Sequence, residues 1–184
     1  MSEPLTDGLT ENTLSSELLY DGRVVHLYME TVRLPNGRES TREVIKHNGA
    51  VAIVAFDADG QVLLVRQYRQ AVRRVLLEIP AGTLEPGEAP LDCAIRELQE
   101  ETGYKPGKLE SLGGIYTAPG YTSEFIHLFL ATDLTESQLE LDADEFIEVL
   151  HVPLAEVLML IASGEIADGK SISGILLAQA RRSV

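Results

Sequence analysis

The sequence predicts an α/β or α+β fold, a mixed sheet with helices packed on its faces and an N-terminal β-hairpin extension. Three observations carry this. Apolar runs of strand length recur on both sides of one segment with helical spacing, two apolar helical patterns close the chain, and turns rich in Gly or Pro separate the runs. A length of 184 residues suits one full hydrophobic core with a small appendage. The expected division is residues 1–47, leader and hairpin, and residues 48–184, the main domain.

Residues 1–19 are polar and acidic with little periodicity, which predicts a loose leader. Val24–Leu34 and Thr41–Lys46 read as the two arms of a hairpin around Pro35-Asn36-Gly37, too small to be stable alone. Ala50–Phe56 and Val62–Val65, separated by a turn at Asp57–Gly60, have the continuous apolar character of buried central strands. After Leu76–Ile79, Pro80-Ala81-Gly82 opens a loop that ends near Pro90, a residue suited to a first helical turn. Leu91, Ala94, Ile95 and Leu98 then keep helical spacing up to Glu101, and Gly103 with Pro106 ends the helix. Strands follow at Leu109–Tyr116, Phe125–Ala131 and around Ile147–Val152, the last preceded by an acidic loop at Leu141–Glu145. Helices are expected at Leu154–Ala162 and Ser173–Ala180.

Twenty-nine acidic against fifteen basic residues give a formal charge of −14, which repels bare polyphosphate and argues against nonspecific nucleic-acid binding. An anionic substrate would need cations to mediate. The richest apolar run, Val149–Ala162, is broken by His151, Pro153 and Glu156 and falls short of the roughly 20 apolar residues of a membrane span. Glu3, Asp7 and Glu11 replace the basic and apolar start of a secretory signal, and the lone Cys93 excludes an internal disulfide framework. A cytoplasmic protein without membrane contact is the expectation.

The predicted helix after Pro90 concentrates the chemistry. At about 100° per residue, Glu97, Glu100 and Glu101 share roughly a 100° arc, while Leu91, Ile95 and Leu98 centre about 120° away. Like charges at these spacings repel by a few tenths of a kcal/mol per pair and sit at the unfavourable end of the helix dipole, with Arg96 as the local compensation. A hard divalent cation reverses that penalty, because Mg²⁺ prefers a few carboxylates completed by water and phosphate oxygens. The bland alternative is a solvated acidic face.

Gly82, then Glu88, then Arg96-Glu97-Leu98-Gln99-Glu100-Glu101-Thr102-Gly103-Tyr104 decide between the two. This spacing resembles the Nudix box, Gx5Ex7REUxEExGU, at every fixed polar and glycine position, and departs from it only at Tyr104, where an aliphatic residue is usual. The resemblance implies a Nudix-like αβα sandwich around a mixed sheet and hydrolysis of a nucleoside diphosphate linked to another moiety. It implies Glu97, Glu100, Glu101 and the Ala81 carbonyl as ligands of Mg²⁺, with Mn²⁺ as substitute, Arg96 as their orienting partner and Glu88 in support.

Residues outside the box resemble the ADP-ribose pyrophosphatase subfamily. The loop from Thr117 to Glu124 matches a substrate loop in which Ala118, Pro119, Gly120 and Glu124 face the terminal ribose. Arg42 and Glu43, and Arg69, stand at positions that imply contact with adenine and phosphates, where guanidinium serves by stacking and by bidentate bonding. Thr83, just after the box glycine, is a further substrate-binding candidate. The subfamily also implies a homodimer whose N-terminal strands complete the partner's site. Glu145, with Asp142 and Asp144 as competitors, matches a glutamate that acts as base or further metal ligand. Glu145→Gln is therefore expected to lower turnover by at least about tenfold in a steady-state assay.

Cys93 reads as a structural thiol, and His26, His47, His127 and His151 are scattered and carry no assigned role. The expected reaction is Mg²⁺-dependent hydrolysis of ADP-ribose to AMP and ribose 5-phosphate. The alternatives are another nucleoside diphosphate sugar or a dinucleotide (NADH, diadenosine polyphosphate), or a noncatalytic nucleotide-sensing module.

Overall fold

The computed structural model describes residues 8–137 and 146–182. Its contacts divide the chain into two compact units. The smaller ends at His47 and takes in Ala118–Glu124; the larger comprises Asn48–Thr117 and the residues from Phe125 onward.

The smaller unit is built on three antiparallel strands in the order β1 (Asn12–Asp21), β2 (His26–Arg33) and β3 (Glu39–Lys46). The predicted hairpin is the β2–β3 pair, closed where the Gly37 amide donates to the Leu34 carbonyl at 2.9 Å. Strand β1 is a correction, because residues 12–19 were expected in a loose leader. It pairs with β2 from Asn12↔Arg33 to Asp21↔His26, with register shifts after Thr13 and Leu18. All ten of its residues are exposed, so backbone pairing holds it and no buried face writes a period-two pattern into the sequence.

In the larger unit, β4 (Ala50–Ala55) lies between β7 (Ala81–Thr83) and β9 (Phe125–Glu136), and β8 (Tyr104–Tyr116) completes a four-stranded sheet. The β4–β9 pairing is parallel and the others are antiparallel, so this sheet is mixed. A separate antiparallel sheet holds β10 (Ile147–Pro153), β5 (Gln61–Arg69) and β6 (Arg74–Glu78) in that order. The expected strands thus divide between two sheets: β4 and β5 meet at an isolated bridge, Phe56↔Val62, and then take different partners.

Every residue of β4 is buried, and its side chains alternate between two cores. Ala50, Ala52 and Val54 pack with Val157 of α2 (Leu154–Ser163) and Ile175 and Ala178 of α3 (Gly169–Arg182). Val51, Ile53 and Ala55 pack with Cys93, Ala94 and Leu98 of α1 (Pro90–Thr102). Helices therefore cover both faces of the central strand, the expected αβα arrangement, and the double burial explains why β4 reads as an unbroken apolar run. Among the described residues no helix is long and apolar enough to cross a membrane.

Candidate active site

Helix α1 forms because Pro90 pre-sets its first turn and Gly103 ends it in the left-handed region at φ 74°, where the Gly103 amide donates to the Gln99 carbonyl. Leu98 is fully buried, a contribution of roughly 1.5–3 kcal/mol that outweighs the few tenths lost to each glutamate pair on the opposite face. Packing against β4 therefore fixes the helix and brings Glu97 and Glu101 to the Ala81–Gly82 backbone, with Arg96 bridging Glu97 to Glu100. Tyr104, the residue that departs from the box, packs half-buried beside this core with its ring edge-to-face on His151 at 6.0 Å.

Arg96 organises the carboxylates. Its Nε and Nη2 each donate to Glu88 at 3.0 Å, and Nη1 donates to Glu97 at 2.7 Å and to Glu100 at 2.9 Å. Three carboxylates around one guanidinium leave two negative charges uncompensated. The Arg96 hydrogen bonds hold the Glu88 carboxyl down at about 2, from an ordinary 4.5. The same contacts, Glu88 first, raise the pKa of Arg96.

The pH consequence has a definite sign. A carboxyl whose pKa is lower in the folded chain stabilises the fold fully above pH 4.5, and that contribution fades as pH falls toward 2. Thermal melts should therefore show Glu88→Gln below wild type at neutral pH, with the difference closing between pH 4.5 and 2.

Two glutamates converge on the strand opposite. The Ala81 amide donates to Glu101 at 2.9 Å, and Glu101 is only 4% exposed. The Glu97 carboxylate lies where a side chain on Gly82 would be: a Cβ there would stand 1.8 Å from Glu97 Cδ. The box glycine is thus required by a close approach, with no positive φ involved. Among the described residues, no three His, Cys, Asp or Glu side chains form a ready-made cation cage, and Arg96 Nη1 bridges Glu97 and Glu100. The donor set of carboxylates beside the half-buried backbone of edge strand β7 still fits Mg²⁺, which takes few protein oxygens and keeps its waters.

Sequence reasoning missed a neighbouring group. Arg69 of β5 donates twice to the buried Glu78 of β6, from Nε at 3.1 Å and Nη2 at 2.7 Å, and Lys170 of α3 also donates to Glu78. Arg69, expected on phosphate, has its pKa raised by these bonds first and also by the charges of Glu101 and Asp168. Thr83 closes β7, its carbonyl accepting from the Cys93 thiol at 3.7 Å. Burial and then Glu88 push that thiol up to about 12, as suits a structural cysteine.

The remaining substrate candidates lie in the smaller unit. The Ala118 carbonyl accepts from the Tyr121 and Thr122 amides, which tightens the Pro119-Gly120 turn, and Ile45 of β3 exchanges backbone bonds with Tyr121 and Ser123. His47 approaches Glu124 at 3.7 Å. Arg42 pairs with Glu11 through Nε and Nη2, while Glu43, its neighbour on β3, is exposed. Glu11, Arg42, Val44, Pro119, Tyr121 and Ser123 line a cleft of about 370 Å³. Glu145, Asp142 and Asp144 lie outside the described residues.

The chain matches the family model of the NUDIX domain over residues 46–173 and that of the nucleoside diphosphate sugar hydrolase N-terminal domain over residues 11–45. It is 44% identical over 178 residues to an ADP-ribose pyrophosphatase of Bacillus subtilis (strain 168), 96% of each chain being covered. Identity to a methanol dehydrogenase activator of Bacillus methanolicus is 40% over 176 residues, 95% of each chain. An ADP-ribose pyrophosphatase of Mycobacterium tuberculosis (strain ATCC 25618 / H37Rv) is 40% identical over 171 residues, 91% of this chain and 83% of that one. A solved structure of an ADP compounds hydrolase superposes with a TM-score of 0.85 at 27% identity, covering 94% of both chains. With the box spacing, the carboxylates gathered at Ala81–Gly82 and a family model spanning most of its length, the chain belongs to the Nudix family.

Proposed function

We propose that the chain hydrolyses ADP-ribose to AMP and ribose 5-phosphate with Mg²⁺, and that Mn²⁺ can substitute. The observation that carries this reading is the convergence of Glu97 and Glu101 on the Ala81–Gly82 backbone, which leaves hard oxygen donors and net negative charge at one spot. Glu97, Glu100, Glu101 and the Ala81 carbonyl would hold the metal, which when bound neutralises phosphate charge and polarises phosphorus. Arg96, clamped by Glu88, orients Glu97 and Glu100. Water adds to one phosphorus, the bond to the bridging oxygen breaks, and that oxygen leaves with the other phosphate. Glu145 serves as base or further ligand.

Arg69 meets the phosphates, Arg42 and Glu43 the adenine end, Thr83 the diphosphate flank, and Ala118, Pro119, Gly120 and Glu124 the terminal ribose. Names of relatives support this choice of substrate, since two of them are ADP-ribose pyrophosphatases. The charge of −14 supports a small cation-bridged substrate over nucleic acid. Leu14, Leu18 and Leu19, exposed on β1, suit cover by a second copy, so light scattering at micromolar concentration should give twice the chain mass of 20.1 kDa.

The test compares kcat/KM for ADP-ribose, UDP-glucose, NADH and a diadenosine polyphosphate, with and without chelator. ADP-ribose should rank first, and chelation should stop turnover until Mg²⁺ is restored. Another compound ranking first would discard the substrate and keep the hydrolase. No turnover on any of them would favour a nucleotide-sensing module.

A further inference from the structure

The larger unit gathers a second set of charges around one buried carboxylate, from elements far apart in sequence. Glu78, at the end of β6, is 2% exposed and accepts from Arg69 and from Lys170. Lys170 also donates to Asp168 at 2.9 Å. Asp168 caps the first turn of α3 by accepting from the Ser171 amide at 3.0 Å and hydroxyl at 2.6 Å. Ser171 Oγ in turn accepts from the Ile79 amide at 2.9 Å.

Two cations and two carboxylates make this set neutral. Stability alone does not call for it, since apolar residues of similar volume usually serve a core as well as a buried ion network. Its geometry has a use nearby. Glu78 grips one edge of the Arg69 guanidinium, and among the described residues Nη1 on the other edge has no hydrogen-bond partner. The next three residues are also fixed: Ile79 by Ser171, the Pro80 carbonyl by the Ile53 amide at 2.8 Å, and Ala81 by Glu101. One short segment therefore joins α3 to both the arginine and the box.

We propose that Lys170 is a positioning residue that, through Glu78, presents the open edge of Arg69 to the diphosphate and so sets substrate affinity. The inference rests on the function proposed above, in which Arg69 meets the phosphates. Without Lys170, Glu78 and Asp168 lose the cation they share, and Arg69 becomes the remaining neutraliser of the buried Glu78 and the half-buried Asp168 beside it. It is drawn inward and away from substrate, while the box carboxylates keep their own partners.

Steady-state kinetics on ADP-ribose with Mg²⁺, using the full chain, tests this. Lys170→Met and Lys170→Gln should raise KM about tenfold with kcat within about twofold of wild type, and Lys170→Arg should restore KM. Gln keeps one donor for Glu78, so Lys170→Gln supplies the answer if Lys170→Met does not fold. A merely structural lysine would lower the melting temperature and leave KM of the folded enzyme alone. Wild-type turnover with unchanged KM in Lys170→Gln overturns this inference and leaves the proposed function standing. Absence of ADP-ribose turnover in wild type overturns both.

Discussion

Gly82→Ala is expected to lower kcat on ADP-ribose by about a hundredfold while leaving the fold intact. The added Cβ would stand 1.8 Å from Glu97 Cδ and 2.1 and 2.2 Å from its carboxylate oxygens, so they cannot coexist as placed. Those atoms are the far end of a flexible side chain, and Gly82 has no positive φ, so Glu97 swings away and the backbone stays. Losing glycine entropy in the unfolded chain offsets part of the cost, typically by about 0.4–1 kcal/mol. The melting temperature should move by no more than about 4 °C. Full activity would show that Glu97 is not needed where the structure places it, and a large loss of stability would show that the backbone, not Glu97, gives way.

Glu101→Gln should have the larger effect, a fall in kcat of about 10²–10³-fold. The amide keeps the shape and an oxygen that can still accept from Ala81, so what it removes is the charge. Because Glu101 is 4% exposed, that charge acts in a poorly screened setting where its loss matters most. The melting temperature should move by no more than about 4 °C, since the amide keeps the shape and the bond from Ala81. Steady-state rates and melts on the same preparation separate the two effects.

What could be read from the sequence follows from how local each signal is. Helix α1 was legible because Pro90 and the apolar spacing lie within it and Gly103 directly follows it, and β4 because burial on both faces removes polar residues altogether. Strand β1 was illegible for the opposite reason: exposed on every residue, it carries no alternation. Strand β7, three residues containing the box glycine, read as loop because its pairing with β4 is set by packing and not by propensity. The Arg96–Glu100 pair has helical i,i+4 spacing and could be read, whereas Glu88 reaches Arg96 across a loop. The Arg69–Glu78–Lys170 set was out of reach, since it joins residues separated by 92 positions that only the docking of α3 brings together.

Product analysis of ADP-ribose incubated with the chain and Mg²⁺, with chelator and with Glu101→Gln as controls, tests the central claim most directly. The account predicts AMP and ribose 5-phosphate in equal amounts from wild type with metal, neither in chelator, and at least about a hundredfold less of both from Glu101→Gln. Equal product formation by Glu101→Gln, or undiminished formation in chelator, would contradict it.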